Sequence, residues 1–379
     1  MAGHGLAQAT EPERAGVLQG KLQLRALRGG RGPNCAAGSR ARTTTTDRRF
    51  ERLKALVTGA SGFTGGYLVK NLLQHGYEVR AFVRPTSDTA ELKQLGVELA
   101  TGALENADEV SEAIRGVDVV FHIAALYREA GVPDRRYWDV NVEGTRHVLD
   151  AALKHGVNRV VHCSTVGVHG HIEHPPANEF APFSPGDVYQ VTKLEGEKLA
   201  WEYWKRHQLP VSVVRPTGIY GPGDMRFAKM YRMIQKGTFV MLGRGDTLYH
   251  LTYVEDLVDG IRLAGEVEAA VGQPYILGGE TWTTLREFVN LVAETLGVRP
   301  PRWRFPVWPV YLAGFLCEKV CIPLGVEPPI YRRRVEFFTK DRAFDISKAK
   351  AELGYQPKVD LAEGVRRTAA WYREHGILE

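Results

Sequence analysis

The chain has 379 residues, ordinary apolar content and 25% charged residues, enough for one large α/β domain or a domain with a smaller cap. Its formal charge of +5 is uneven: residues 1–54 hold eleven Lys or Arg against four acids, so the rest of the chain is net −2. That near-neutral remainder gives no electrostatic case for nucleic acid, and four cysteines without zinc-site spacing suit a reduced, cytoplasmic protein better than a disulfide scaffold.

Residues 1–52 are rich in Gly, Arg, Ala and Thr and lack periodicity, so they read as a disordered basic extension. No apolar core of a secretory signal is present. An Arg-rich organelle transit peptide is one reading, opposed by Glu11 and Glu13. A tail foreign to the natural chain, or a start site assigned too far upstream, are the others.

At residue 53 a different rhythm begins. The run Ala55-Leu56-Val57 reads as a buried strand. Gly59, Gly62 and Gly65 then turn the chain into a periodic segment with Tyr67, Leu68, Leu72 and Leu73. Strand, glycine turn and helix in that order propose a seat for a pyrophosphate at a helix N-terminus. Taken alone, the glycines leave a plain loop about equally open. Further strands are predicted at Glu78–Val83, Glu98–Ala100, Val117–Ile123, Val160–Ser164 and Val211–Arg215. Helices are predicted between them at Gly66–His75, Ala90–Leu95, Ala107–Arg115, Tyr137–His155 and Val188–His207. This alternation predicts a Rossmann-type α/β fold, a doubly wound parallel sheet over 53–215 with its cofactor crevice between the first and fourth strands.

Beyond Arg215 the elements shorten, with helices near Met225–Gln235, Val254–Gly265, Leu285–Leu296 and Leu361–His375. Residues 216–379 are read mainly as a smaller C-terminal substrate-binding domain, from which some segments could return to the sheet. Trp303–Val326 is the most apolar stretch, but prolines and charges interrupt it, so it cannot cross a bilayer cleanly. It reads either as a helix of the substrate domain or as an apolar lid or interfacial anchor that makes peripheral membrane contact.

Tyr189 and Lys193 stand four apart at the start of a long predicted helix and so share a face. A phenol acts as a general acid/base when its pKa is drawn toward neutrality, and a nearby ammonium does this by favouring phenolate. The spacing alone is what chance supplies. Its weight comes from following a strand that ends in Ser164-Thr165, whose hydroxyls would face the crevice.

The set Thr58-Gly59-x-x-Gly62-x-x-Gly65, Ser164-Thr165, Tyr189-x-x-x-Lys193 and Arg215-Pro216-Thr217-Gly218-Ile219-Tyr220-Gly221 resembles the extended short-chain dehydrogenase/reductases of the NAD-dependent epimerase/dehydratase family. His122-Ile123-Ala124-Ala125, Asn141-Val142-Glu143-Gly144-Thr145 and Leu353-Gly354-Tyr355-Gln356-Pro357 extend the resemblance from residue 53 nearly to the C-terminus. It implies that Tyr189 moves the proton on the substrate oxygen. Thr165 would hydrogen-bond that oxygen, with Ser164 as the adjacent alternative, and Lys193 would tune Tyr189 and bond the nicotinamide ribose. It implies a cofactor site of Gly59, Gly62, Phe63, Gly65, Arg84, Leu104, Ala124, Ala125, Lys193, Pro216 and Ile219. Substrate contacts are expected from Ser164, Tyr127, His169 and Tyr253. A homodimer acting on a small molecule is also expected.

Departures from the family pattern narrow the reaction. Dehydratases and decarboxylases that use a Glu two residues after the catalytic Ser/Thr are disfavoured, because Gly167 stands there. Nucleotide-sugar epimerases carry a diphosphate-holding Arg where this chain has Tyr249, which weakens a nucleotide-sugar substrate. Tyr253-Val254 resembles instead the 3β-hydroxysteroid dehydrogenase-like branch. At the end of the second strand, Val83-Arg84 replaces the acid of NAD enzymes and resembles the 2′-phosphate arginine of dihydroflavonol reductase-like members, so NADP is favoured over NAD. Ala103 replaces the family's Asp between Gly102 and Leu104, which leaves the adenine amino group without its usual partner. His169, His171, His174 and Glu173 crowd one loop, but the family needs no metal and none is expected. The reading is an NAD(P)-dependent oxidoreductase interconverting a secondary alcohol and a ketone on an apolar or polycyclic substrate. The alternatives are a sugar or nucleotide-sugar epimerase with retained cofactor and, from another class, a non-catalytic cofactor-binding regulator. A cytoplasmic location is expected, with peripheral membrane or an organelle as alternatives.

Overall fold

In the computed structural model, which describes residues 53–129, 131–321, 335 and 337–379, the apolar run after Lys54 forms strand β1 (Lys54–Thr58), buried from Ala55 onward. The predicted extension over 1–52 lies outside the described residues, as do 322–326 of the apolar stretch. Beside β1 stand β2 (Glu78–Val83), β3 (Glu98–Thr101), β4 (Val119–His122), β5 (Arg159–Cys163), β6 (Val211–Pro216) and β7 (Pro274–Leu277). They form one sheet in the order β7-β6-β5-β4-β1-β2-β3, and every pairing is parallel. Their near-continuous apolar character follows from burial on both faces. The chain runs outward through β2 and β3, then crosses back to β4, so the strand order reverses between β1 and β4 and opens a crevice at their C-terminal ends.

Helix α1 (Phe63–Gln74) covers one face with Leu68 and Leu72, packed on Ala55, Val57 and Phe121. The other face is covered by α2 (Ala107–Ile114), α3 (Gly144–His155) and α4 (Val188–His207), through Val110, Ile114, Val148, Leu149 and Leu199 against Leu56, Val120 and Val160. Helix α4 starts at Asp187, whose side chain accepts the Gln190 N–H as an N-cap.

Sequence beyond residue 216 divides its apolar side chains between two places. Helix α5 (Ala228–Gln235), α7 (Leu285–Thr295) and α9 (Leu361–Glu374) build a core of their own around Tyr231, Ile234, Phe288, Val292, Val365 and Tyr372. Helix α6 (Val254–Glu266) and β7 return to the sheet instead, with Leu257 and Ile261 in the α1 core and Asn71 Nδ2 donating to Asp259 Oδ1 at 2.8 Å. We propose 53–215 and 216–379 as the cofactor-binding and mainly substrate-binding portions, with α6 and β7 as the returning segments. Asp256 fastens α6 to the C-terminal segment, its carboxylate accepting the Lys358 and Val359 N–H groups at 3.0 Å each.

The predicted helix over Tyr137–His155 is broken into a short helix (Asp134–Trp138), a π-helical turn (Asp139–Glu143) and α3. Asn141 lies in that wide turn. Its Oδ1 accepts the Leu126 N–H at 2.7 Å, its Nδ2 donates to Leu126 O and Thr192 Oγ1, and its carbonyl accepts the Thr145 hydroxyl. Such turns interrupt helices where side chains claim the ladder groups. Within Trp303–Val326 a helix, α8 (Val307–Cys321), does form, but Gly314 is its one buried residue among those described. Most of its large side chains face outward. No helix among the described residues is long and apolar enough to cross a membrane.

Candidate active site

The turn after β1 is built where only glycine fits. Gly59 has φ +73°, and a Cβ there would stand 2.9 Å from the Ala124 backbone. A Cβ on Gly65 would stand 2.1 Å from the Gly59 carbonyl, so α1 can pack this close to the turn only without a side chain. Gly62 N donates to Gly59 O at 3.0 Å and serves as N-cap of α1 without any side-chain cap, and the first turn holds no acid. First-turn N–H groups are thus left open toward the crevice, which suits a pyrophosphate.

A cavity of about 1210 Å³ occupies that crevice. A small-molecule site commonly measures about 300–1,000 Å³, so this one has room for a dinucleotide and a second molecule. Gly59, Gly62, Phe63, Gly65, Arg84, Leu104, Ala124 and Ala125 line one part of it. Ser164, Thr165, Tyr189, Lys193, Pro216, Ile219 and Tyr127 line another. Arg84 is exposed just beyond β2. Ala103, at the site of the family's adenine carboxylate, has its N–H held by Glu109 Oε2 at 2.8 Å.

Two expected substrate residues are displaced from this wall. His169 is buried, with Nδ1 3.2 Å from Pro182 O, Nε2 3.2 Å from Arg215 Nη1 and its ring stacked on Phe183. Tyr253 is 1% exposed, packed edge-to-face against Tyr220 in the C-terminal core. Neither is among the residues that line the cavity. His171 Nδ1 accepts the Asp341 N–H, and no metal-holding group of side chains exists among the described residues.

Thr165 caps a short 3-10 turn (Val166–His169): its Oγ1 accepts the Gly167 N–H at 3.0 Å, so its own proton is free to donate into the cavity. Tyr189 sits edge-on to Tyr127 at 5.0 Å between ring centroids, with the Arg128 guanidinium 5.3 Å from its ring. Arg128 is held by Asp187 at 2.7 Å, and Arg226 by Asp224. Burial, then the neighbouring Tyr127, pushes the Tyr189 phenol well above its ordinary pKa, against the opposite pull of Arg128 and Arg226. Desolvation outweighs the pull of Arg128 and Arg226 here; Lys193, the residue expected to favour the phenolate, lines the same cavity. Lys193 itself is buried, and burial lowers its pKa, partly offset by Cys163 and Glu197.

A buried chain of hydroxyls and rings supports the wall. Thr145 Oγ1 donates to Asn141 O at 2.7 Å, so it receives the Nε2–H of His122 at 3.0 Å. His122 Nδ1 then accepts the Thr58 hydroxyl at 2.9 Å, and Thr58 Oγ1 accepts the N–H groups of Ile123 and Ala124 at 3.1 Å each. Burial, then the Lys193 charge, holds His122 neutral, with its pKa pushed down to about 3.

Sequence reasoning missed Arg342. It is bridged to Tyr249 across the backbone, and its Nη1 donates to Tyr249 Oη at 3.3 Å inside the cavity wall. A guanidinium therefore does stand beside the position where the family's arginine is replaced. No local signal links residues 93 apart, so only the fold could reveal it.

Comparison with known proteins agrees with this geometry. The model of the NAD dependent epimerase/dehydratase family matches residues 55–278. The chain is 32% identical over 346 residues to a 3beta-hydroxysteroid-dehydrogenase/decarboxylase (isoform 1) of Arabidopsis thaliana, covering 83% of this chain and 78% of that protein. It is 31% identical over 337 residues to a 3 beta-hydroxysteroid dehydrogenase/Delta 5-->4-isomerase of Mycobacterium tuberculosis, covering 84% and 90%. Among solved structures, DesIV (dTDP-glucose 4,6-dehydratase) of Streptomyces venezuelae with NAD and TYD bound superposes with a TM-score of 0.69 at 26% identity, covering 86% of this chain and 99% of that one.

Proposed function

The chain belongs to the NAD dependent epimerase/dehydratase family, and within it we propose an NAD(P)-dependent oxidoreductase that interconverts a secondary alcohol and a ketone on an apolar or polycyclic substrate. One observation carries this reading: Thr165, Tyr189 and Lys193 line the same cavity as the Gly59–Gly65 turn. A bound nicotinamide dinucleotide supplies the hydride acceptor or donor. The chain's own side chains do the rest.

In reduction, Tyr189 meets the substrate as a protonated phenol, because burial holds its proton, and gives that proton to the oxygen that becomes the hydroxyl. Thr165 donates its free hydroxyl proton to the same oxygen and fixes its direction. Lys193, one turn along α4, adds positive charge beneath the phenol as phenolate forms. In oxidation Tyr189 must first lose its proton, so that direction gains with rising pH. Gly62 and Gly65 give the backbone its approach to the diphosphate, and Arg84 is assigned to a 2′-phosphate, which favours NADP.

The far end of the cavity, with Met230, Met233, Phe239, Val240, Phe337 and Phe338, supports an apolar substrate, as do the names of the two hydroxysteroid relatives. Arg342 favours a second reading, a nucleotide-sugar epimerase that keeps its cofactor. Purified protein mixed with a hydroxysteroid alcohol and NADP or NAD should develop the absorbance of reduced nicotinamide. Tightly copurifying cofactor and isomerisation of a sugar nucleotide without net reduction would select the second reading. Absence of both reactions would leave a cofactor-binding regulator.

A further inference from the structure

The apolar end of the cavity runs directly into an exposed apolar surface. Val240 lines the cavity, and the next residue, Met241, donates its N–H to Trp303 O at 3.0 Å. Gly243 N likewise donates to Phe305 O at 2.8 Å. These bonds hold the entrance to α8 against the cavity wall. Yet Trp303 is 70% exposed, Phe305 55% and Trp308 71%, and Tyr311, Leu312, Leu316 and Val320 are exposed along the same helix. A contiguous apolar surface of this kind marks a place of contact.

Charge identifies the contact. Arg302 and Arg304 flank Trp303, both exposed and both without an acidic partner among the described residues. Across the cavity rim, Lys229 and Arg232 of α5 and Lys236 just past its end form a second groove of about 330 Å³ with Met233 and Thr238, again without ion pairs among the described residues. Lys229 and Met233 line both the groove and the cavity, so the basic groove opens off the cavity's apolar end. Of the nearby acids, Asp246 is held between Arg244 and Arg286, Glu318 lies on α8, and the C-terminal Glu379 is hydrogen-bonded to Gln235 beside the groove.

We propose that this face lies on an anionic phospholipid bilayer, with Trp303, Phe305 and Trp308 at the depth of the headgroups and Arg232, Lys236, Arg302 and Arg304 on the phosphates. Tryptophan prefers that interface, and each basic residue near an anionic surface contributes about 1 kcal/mol, roughly fivefold in partition. The cavity then opens toward the membrane, and an apolar substrate passes from lipid to the Tyr189 wall with little exposure to water. This deepens the proposed function, since it rests on an apolar substrate.

The test is sedimentation of the full chain with phosphatidylcholine vesicles, with and without phosphatidylglycerol, at low and high salt. Binding should require phosphatidylglycerol and weaken with salt. Trp303→Ser with Trp308→Ser should abolish it, and Arg302→Glu with Arg304→Glu, or Arg232→Glu with Lys236→Glu, should each reduce it at least tenfold. Unchanged circular dichroism and melting would show that the variants remain folded. Failure to bind phosphatidylglycerol vesicles, or binding indifferent to these substitutions, overturns the proposal. So does a dimer in analytical ultracentrifugation that Trp308→Ser dissociates, which would assign the face to a second copy. Vesicle binding needs no turnover, so its failure leaves the hydride-transfer reading to its own assay.

Discussion

Glu197 on α4 and Arg215 on β6 form an ion pair whose side chains are 1% and 2% exposed, directly behind the wall that carries Lys193. Arg215 Nε donates to Glu197 Oε2 at 3.1 Å, Nη2 to Oε1, and Nη1 to Glu179 O at 2.7 Å. Trp201 Nε1 donates to Glu197 as well. Burial would raise the Glu197 pKa, but the hydrogen bonds and charge of Arg215 outweigh it and hold the carboxyl below its usual range. Glu197→Gln leaves Arg215 as an uncompensated buried cation. It should cost about 3–5 kcal/mol in urea unfolding, and a loss below about 1 kcal/mol would show the pair to be dispensable.

Gly65→Ala tests the glycine turn. The new methyl would press on the Gly59 carbonyl, so the turn must move. Overpacking of this kind costs about 1–3 kcal/mol, and the larger effect should fall on the cofactor, with the Kd for NADPH from fluorescence titration rising at least about tenfold. An unaltered Kd would mean that the dinucleotide does not lie on this turn.

Arg84→Asp tests cofactor choice. If Arg84 holds a 2′-phosphate, losing that charge-assisted contact should raise the KM for NADP by about ten- to a hundredfold while NAD is unaffected or improves. Equal loss for both cofactors would place Arg84 elsewhere on the dinucleotide.

His122 gives the pH dependence its sign. Its folded pKa, about 3, lies below the unfolded value near 6.5, so the unfolded chain binds the proton first as pH falls. Its contribution is whole above about pH 6.5 and is lost progressively toward pH 3. His162, pushed down by burial, then by Lys193 and His122, adds to the same loss. The urea midpoint should therefore fall between pH 7 and pH 5, and His122→Asn should flatten that slope. A midpoint indifferent to pH would contradict a buried neutral pair.

The strand order and the glycine turn were legible because buried parallel strands write themselves as short apolar runs and the turn needs glycine at fixed positions. That Thr165, Tyr189 and Lys193 would share a cavity was legible from their place after the fifth strand together with the family resemblance, not from spacing alone. Arg342 beside Tyr249 was not, since a backbone bridge between distant segments leaves no pattern. The packing of His169 against Arg215 and of Tyr253 in the C-terminal core was not legible either, since both arise from distant segments. The desolvation of Tyr189 was not legible: sequence shows the ammonium one turn away, while burial enters only when Tyr127 and the cavity wall close around the phenol. Sequence left α8 open between a helix of the substrate domain and an outward-facing lid or anchor, and only packing shows its large side chains exposed.

The most direct test of the account is Tyr189→Phe, assayed for alcohol-dependent reduction of NADP alongside fluorescence titration with NADPH. Removing the phenol should lower kcat by about 10²–10⁴-fold and leave the Kd for NADPH nearly unaltered. Turnover equal to that of the unsubstituted protein would contradict a mechanism in which Tyr189 carries the proton.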